Sequence, residues 1–444
     1  MIKRKEYIYF FFTFVLYFIL IKTNLTIQYS NDSINLILNA LIIKSKIFDL
    51  NLIINDDLFY PLFYSFVISN LISAADIFGI NNCLKNLELC GNYFNNIIYF
   101  QSILLFLTAL ITFFTSQIIF NNKKISYCCF ILVILNSFYL SRIFFISSEV
   151  LSLFFLTLNF FLIVLTLNSN KNKFFVILIL SSSILFLLKP IFLIINIFFF
   201  FFLFLKKKIN KKIFLLALIF FSLTFSLSNY FKKTFFNNVN FNYEMTVIEQ
   251  RTAYGYIDYN EIIPLIISFI PKIGDDINRK IFNVENTQRV ALGENGRNFF
   301  YNNRSQILNK LNDNITIKDI VLINISNFDK QLILTPIFLF RGIFMQSGFN
   351  DFFRNIELTG ISIFIIFNYI FYSLVKIYLL YICFKSFFSV NQNITNLYLA
   401  YPSMVFLVHA ILTHNLPRYS SILFVIGVIF LVQKIYTTIN YEGK

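Results

Sequence analysis

In a chain of 444 residues, 57% hydrophobic and only 13% charged, apolar runs approaching or exceeding about 18 residues recur, so the fold class is a polytopic α-helical membrane protein. A soluble helical core is excluded because its helices would carry polar stripes, whereas a segment such as 191–205 is apolar all round apart from Asn196. The net charge of +15 does not point to nucleic acid, because Lys3-Arg4-Lys5, Lys123-Lys124, Lys171, Lys173, Lys206-Lys207-Lys208, Lys211-Lys212 and Lys385 fall in short gaps between apolar segments, the mark of cytoplasmic loops.

The first apolar run follows a basic start, lacks a small-x-small cleavage site, and reads as an uncleaved span over 7–23. A long outer loop, 24–95, follows, with amphipathic stretches such as 34–43 and with Cys83 and Cys90, which would pair if the loop is extracytoplasmic. Spans over 97–120 and 125–141 bracket Asn121-Asn122-Lys123-Lys124, and a fourth, 148–168, opens at Glu149 and returns to Lys171. The stretch 174–205 is too long for one comfortable helix and carries Lys189-Pro190 near its middle. Two short helices meeting at the proline fit it, with a single kinked helix as the competing reading.

A span over 213–229 exits into the largest polar region, 230–330, which reads as a small mixed extracytoplasmic domain. Residues 332–345, short and interrupted by Pro336 and Arg341, read as an interfacial helix; a span there would reverse everything after it. Final spans over 359–384, 397–412 and 419–437 give about ten in all, with both chain ends inside. Three parts result: a transmembrane catalytic module over 1–229, the loop domain over 230–330, and a carboxyl-terminal part over 331–444.

By this threading four ionisable groups converge on the outer face: Asp32, Glu149, Lys189 and Arg418. Charge at membrane depth is costly unless paired or hydrated, so such groups are functional candidates by default. Singly, each has an ordinary reading: a loop acid, a helix amino-terminal acid, a snorkelling lysine, a helix-end anchor. The convergence is the informative feature.

At these residues the chain resembles the GT-C superfamily of membrane glycosyltransferases, which includes protein O-mannosyltransferases and the lipid A aminoarabinose transferase. Asp32-Ser33 before an amphipathic run, then Tyr60-Pro61-Leu62-Phe63, resembles the first-loop acidic motif and its Tyr-Pro element. Ser148-Glu149 resembles the second acidic position, Leu188-Lys189-Pro190 the basic-plus-proline element, and Pro417-Arg418-Tyr419 the late Arg-Tyr element. Many members pair two acids in the first loop, where this chain has Asn31 beside Asp32.

The resemblance implies transfer of a sugar from a polyprenyl-phosphate donor to an acceptor hydroxyl on a lipid, glycan or protein. The reaction would occur at the outer face of a bacterial inner membrane, in contact with membrane lipids and serving the cell envelope. Asp32 would be the general base of an inverting transfer, and Lys189 and Arg418 would neutralise the lipid phosphate. Glu149 would bind sugar or acceptor hydroxyls, with Asp57, Tyr60, His414 and Tyr419 in the same shell. No cofactor is expected: there is no Walker loop, no Gly-rich dinucleotide signature and no Cys/His cluster, and His409 reads as a core residue. An acid-only magnesium or manganese site at Asp32 and Glu149 is the alternative.

Two other classes stay open. A polysaccharide polymerase or ligase would use lipid-linked sugars on the same face but usually gathers its arginines in one large late loop. A lipid or solute transporter would show internal repeats and broken helices at matching positions, with charges at the midplane.

Overall fold

The computed structural model describes residues 4–23, 25, 27–29, 31–48, 62–83, 90, 93–169, 171–236, 252, 259–268, 277, 280–281, 317–344, 360–388, 393–413 and 423–442. These residues are helical or connect helices; the one extended pairing among them is an isolated parallel bridge between Gln28 and Phe145. The chain divides into two compact units, residues 1–241 with 428–444, and residues 242–427.

The first unit contains α1 (Arg4–Thr23), α2 (Asn31–Ile47), α3 (Leu62–Leu71), α4 (Ile77–Cys83), α5 (Asn95–Phe120), α6 (Lys123–Ile134), α7 (Ser137–Ile143), α8 (Glu149–Ser169), α9 (Asn172–Leu188), α10 (Ile191–Leu205) and α11 (Lys211–Phe235). Three aromatic pairs set the direction of α1 against α5: Phe10 with Phe113 at 5.1 Å, Phe14 with Phe106 at 4.9 Å, and Phe18 with Tyr99 at 5.3 Å between ring centroids. Rising numbers on one helix meet falling numbers on the other, so the two are antiparallel. Hydroxyls buried in α5 avoid an apolar penalty by donating one turn back, Thr108 to the Leu104 carbonyl and Thr112 to the Thr108 carbonyl, each at 2.8 Å.

Asparagines make the turns. Asn121 ends α5 in the left-handed region at φ 49°, which Asn tolerates better than most side chains, and Asn122 Oδ1 accepts from the Lys124 amide at 3.0 Å to open α6. Asn136 accepts from the Tyr139 amide at 3.2 Å and starts α7 at a bend of 50° from α6, so the expected span over 125–141 is a broken one. At Lys189-Pro190 the two-helix reading holds. Asn196 donates to the Ser182 carbonyl at 3.2 Å, although a continuous helix would separate them by about 21 Å. The chain therefore folds back at the proline.

The second unit contains α12 (Tyr259–Ser268), α13 (Ile317–Ser326), α14 (Phe328–Phe344), α15 (Gly360–Phe388), α16 (Ile394–Leu412) and the first residues of α17 (Phe424–Glu442). The expected interfacial segment 332–345 lies largely within α14, which holds Pro336 and Arg341 inside one helix. Helix α17 comes close to α15 at Gly427, where a Cβ would lie 2.6 Å from Val375 Cγ1, and Phe424 stacks on Tyr372 at 5.1 Å. Most of the expected loop domain over 230–330 lies outside the described residues.

Among the described residues, five helices are long and apolar enough to cross a membrane, α1, α5, α8, α11 and α16, or six if bent α6 and α7 count as one span. The chain is a multi-pass helical membrane protein. This count is below the expected ten among the described residues, partly because the break at Lys189-Pro190 leaves α9 and α10 with 17 and 15 residues.

Candidate active site

Helix α8 begins at Glu149, whose negative charge in the first turn suits the amino-terminal end of the helix dipole. The Ser148 carbonyl accepts from both the amide of Ser152, at 2.9 Å, and its hydroxyl, at 2.7 Å. The strap leading into this helix, residues 144–148 after the end of α7, is not regular structure, so its backbone groups need partners from elsewhere.

Those partners come from distant segments. Gln101, near the start of α5, donates from Nε2 to the Ile143 and Phe145 carbonyls, both at 2.9 Å. The Gln28 amide donates to the Phe144 carbonyl at 2.8 Å, and Ser33 Oγ, in the first turn of α2, donates to the Ile146 carbonyl at 2.9 Å. Tyr64, from α3, is hydrogen-bonded to the Ser147 backbone and donates its hydroxyl to Gln101 Oε1 at 3.5 Å. Burial first, and the charge of Glu149 second, push the Tyr64 hydroxyl well above the ordinary tyrosine range, so it stays a proton donor.

Asp32 is the second residue of α2, and its neighbour Ser33 ties that turn to the strap three residues before Glu149. The amino-terminal turns of α2 and α8 are thereby gathered at one place, and Glu149 is buried there. Lys189 caps the carboxyl end of α9 and is half-buried. Helices α8 and α9 pack as a hairpin of 21 and 17 residues, so Lys189 returns to within about 6 Å of the Glu149 level along the hairpin axis. The Asp32 side chain lies outside the described residues, as do Asp57, Tyr60, His414, Arg418 and Tyr419.

The same geometry gives the first unit two ends. Helices α5 and α8 both start at the strap, so the lysines after them, Lys123, Lys124, Lys171 and Lys173, lie at the opposite end. Glu6 at the start of α1 forms an ion pair with Lys123 there. Hairpin α9–α10 brings Lys206, Lys207 and Lys208 back to that basic end. In the 24–95 loop, Cys83 and Cys90 are joined in a disulfide, Lys44 Nζ of α2 donates to the Ser69 carbonyl of α3 at 2.8 Å, and burial lowers the Lys44 pKa.

Three residues at the strap were missed by the sequence reading: Tyr64, Gln101 and Arg142, the last held over the rings of Phe138 at 5.0 Å and Phe145 at 5.1 Å. Only Arg142 left a signal, as an arginine in an otherwise apolar stretch. The second unit also holds unexpected buried cations. Arg341 lies within α14, and Lys376 Nζ, within α15, donates to the Gly342 carbonyl at 2.6 Å and sits 4.5 Å from the Tyr372 ring centroid. His409 is buried in α16, where a core position was expected. Among the described residues, no three His, Cys, Asp or Glu side chains group closely enough to hold a metal ion. No protein-family model matches the chain, and no characterised protein matches it significantly in sequence.

Proposed function

We propose that the protein is a membrane glycosyltransferase that moves a sugar from a polyprenyl-phosphate donor to an acceptor hydroxyl at the extracytoplasmic face, with about ten spans in its full threading. The observation that carries this reading is the polarity of the first unit. Its lysine-rich turns share one end, while the first turns of α2 and α8, which carry Asp32 and Glu149, share the other with Lys189. Lysine in short turns favours the cytoplasmic side, and a disulfide in the 24–95 loop favours an oxidising one, so both signs agree on which end faces out.

A carboxylate and a cation at a membrane surface suit this chemistry. Asp32 takes the proton of the acceptor hydroxyl as it attacks the anomeric carbon, and the departing lipid phosphate needs positive charge, which Lys189 and Arg418 supply. Glu149, with Tyr64 beside it, binds hydroxyls of the sugar or acceptor. The test is transfer of label from a panel of polyprenyl-phosphate sugars to membrane acceptors, wild type beside Asp32→Asn. Transfer that requires Asp32 supports the reading; wild-type transfer that survives in Asp32→Asn removes Asp32 as the base.

A further inference from the structure

Arg142 is the single cation in the sequence 137–148, and sugar transfer as proposed does not use it. Its guanidinium lies against two aromatic rings, 5.0 Å from the Phe138 centroid and 5.1 Å from that of Phe145. Phe138 stands one turn earlier in α7, and Phe145 belongs to the strap. Gln101 Nε2 holds the backbone on either side of this contact, donating to the Ile143 and Phe145 carbonyls at 2.9 Å each. Arg142 itself is only half-buried.

Helix lengths set the depth. Helix α8 has 21 residues, about 31 Å, against a hydrocarbon core of about 30 Å, so its first residue marks the boundary between lipid tails and headgroups at the acid end. Helix α5 has 26 residues, about 39 Å, and Gln101 stands about 9 Å past its first residue, which brings the strap to that same boundary. Lipid phosphates occupy this level. Aromatic rings engage a guanidinium through its faces, and its N–H donors lie in its plane, in a fork that fits two oxygens of a phosphate.

We propose that Arg142 binds the phosphate group of a membrane lipid, with Phe138 and Phe145 holding the guanidinium in place at headgroup depth. The site goes beyond the transferase reading and does not depend on it, because a polyprenyl phosphate and an anionic phospholipid carry the same group. An arginine that only snorkels toward bulk headgroups would bind no lipid saturably, and lysine would replace it without loss.

The experiment is a lipid-binding titration followed by native mass spectrometry, on the full-length protein in a phosphate-free detergent. The probes are a polyprenyl phosphate, phosphatidic acid, the matching polyprenol and diacylglycerol, and inorganic phosphate as competitor. The expected result is saturable binding of the phosphorylated lipids but not of the two alcohols. Binding should be weakened roughly 10–100-fold by Arg142→Gln and not restored by Arg142→Lys. The phosphorylated lipid that saturates at the lower concentration is the source of the group. Equal binding of the alcohols, displacement by inorganic phosphate at the lipid's own concentration, or full binding by either Arg142 variant overturns the proposal. Should Arg142→Gln fail to fold, Phe145→Leu removes one ring and leaves the charge: weakened binding supports the proposal, and unchanged binding overturns it. Sugar transfer by wild type is measured on the same preparation. Arg142-dependent lipid binding without any transfer supports this site and removes the transferase reading.

Discussion

The two ends of the first unit are built differently. At the basic end the turns before α6 and α11 are closed by the residues beside them: Asn122 caps α6 from the adjacent position, Asn210 accepts from the Ile213 amide at 2.9 Å, and Lys207 takes the left-handed conformation at φ 53°. At the acid end the strap before Glu149 is held by groups far away in sequence, with Gln101 reaching over 42 and 44 residues and Ser33 over 113. Local caps suffice to reverse a chain. Long-range hydrogen bonds into an irregular segment fix its position relative to several helices at once, which is what a site with geometric demands needs.

The sharpest way to break this comparison is Asp32→Asn. If the acid end is the chemical one, loss of the base lowers transfer by roughly 10²–10⁴-fold with no change in thermal unfolding, since general-base contributions have that size. An equal loss from neutralising Lys171 or Lys173 at the basic end would erase the distinction. Gln101→Leu comes next. It strands the Ile143 and Phe145 carbonyls in a buried place, at about 1–3 kcal/mol for each acceptor left unsatisfied, so the expected outcome is a clearly lower unfolding midpoint in detergent. A midpoint within error of wild type would mean that the strap is not held by this side chain.

Removal of the disulfide by Cys83→Ser with Cys90→Ser is expected to cost about 2 kcal/mol, the chain-entropy value for so short a closed loop. It also sharpens the assignment of ends. Free thiols at these positions should appear only after reduction, whereas Cys128, exposed in α6, reacts with a membrane-permeant maleimide without reductant. Thiols at Cys83 and Cys90 that react without reduction in intact cells would place that loop on the reducing side and reverse the orientation.

How much of this was legible in the sequence depended on the range of the physics. The fold-back at Lys189-Pro190 could be read because proline lacks an amide donor and restricts the residue before it, both local effects. The Asn121-Asn122 turn was legible for the same reason. Cys83 and Cys90 could be read only as a conditional pair, since seven residues of separation allow a bond without requiring one. Glu149 was found because a charge at the start of an apolar run stands out, whereas Tyr64 and Gln101 were not, because nothing near either residue in sequence marks a partner 37 residues away. Arg341 was seen only as an interruption of an apolar segment and Lys376 was not singled out. Each lies inside an otherwise apolar helix, and its burial depends on neighbouring helices that periodicity alone does not identify.

The smallest expected effect lies at the basic end, in the ion pair between Glu6 and Lys123. The Glu6 side chain is 11% exposed and that of Lys123 44%, so the lysine remains largely in contact with solvent, and the pair is a weak contributor even though it joins the starts of α1 and α6. After discounting for that exposure, Glu6→Gln should cost less than about 1 kcal/mol, and Lys123→Gln about the same. The double variant distinguishes a true pair from two independent residues: coupling measured by the double-mutant cycle in low salt should shrink in high salt, because solvent screens the lysine. A coupling that persists undiminished in high salt would mean that this end is as tightly enclosed as the strap end, and the contrast between a locally capped end and a long-range clamped one would no longer hold.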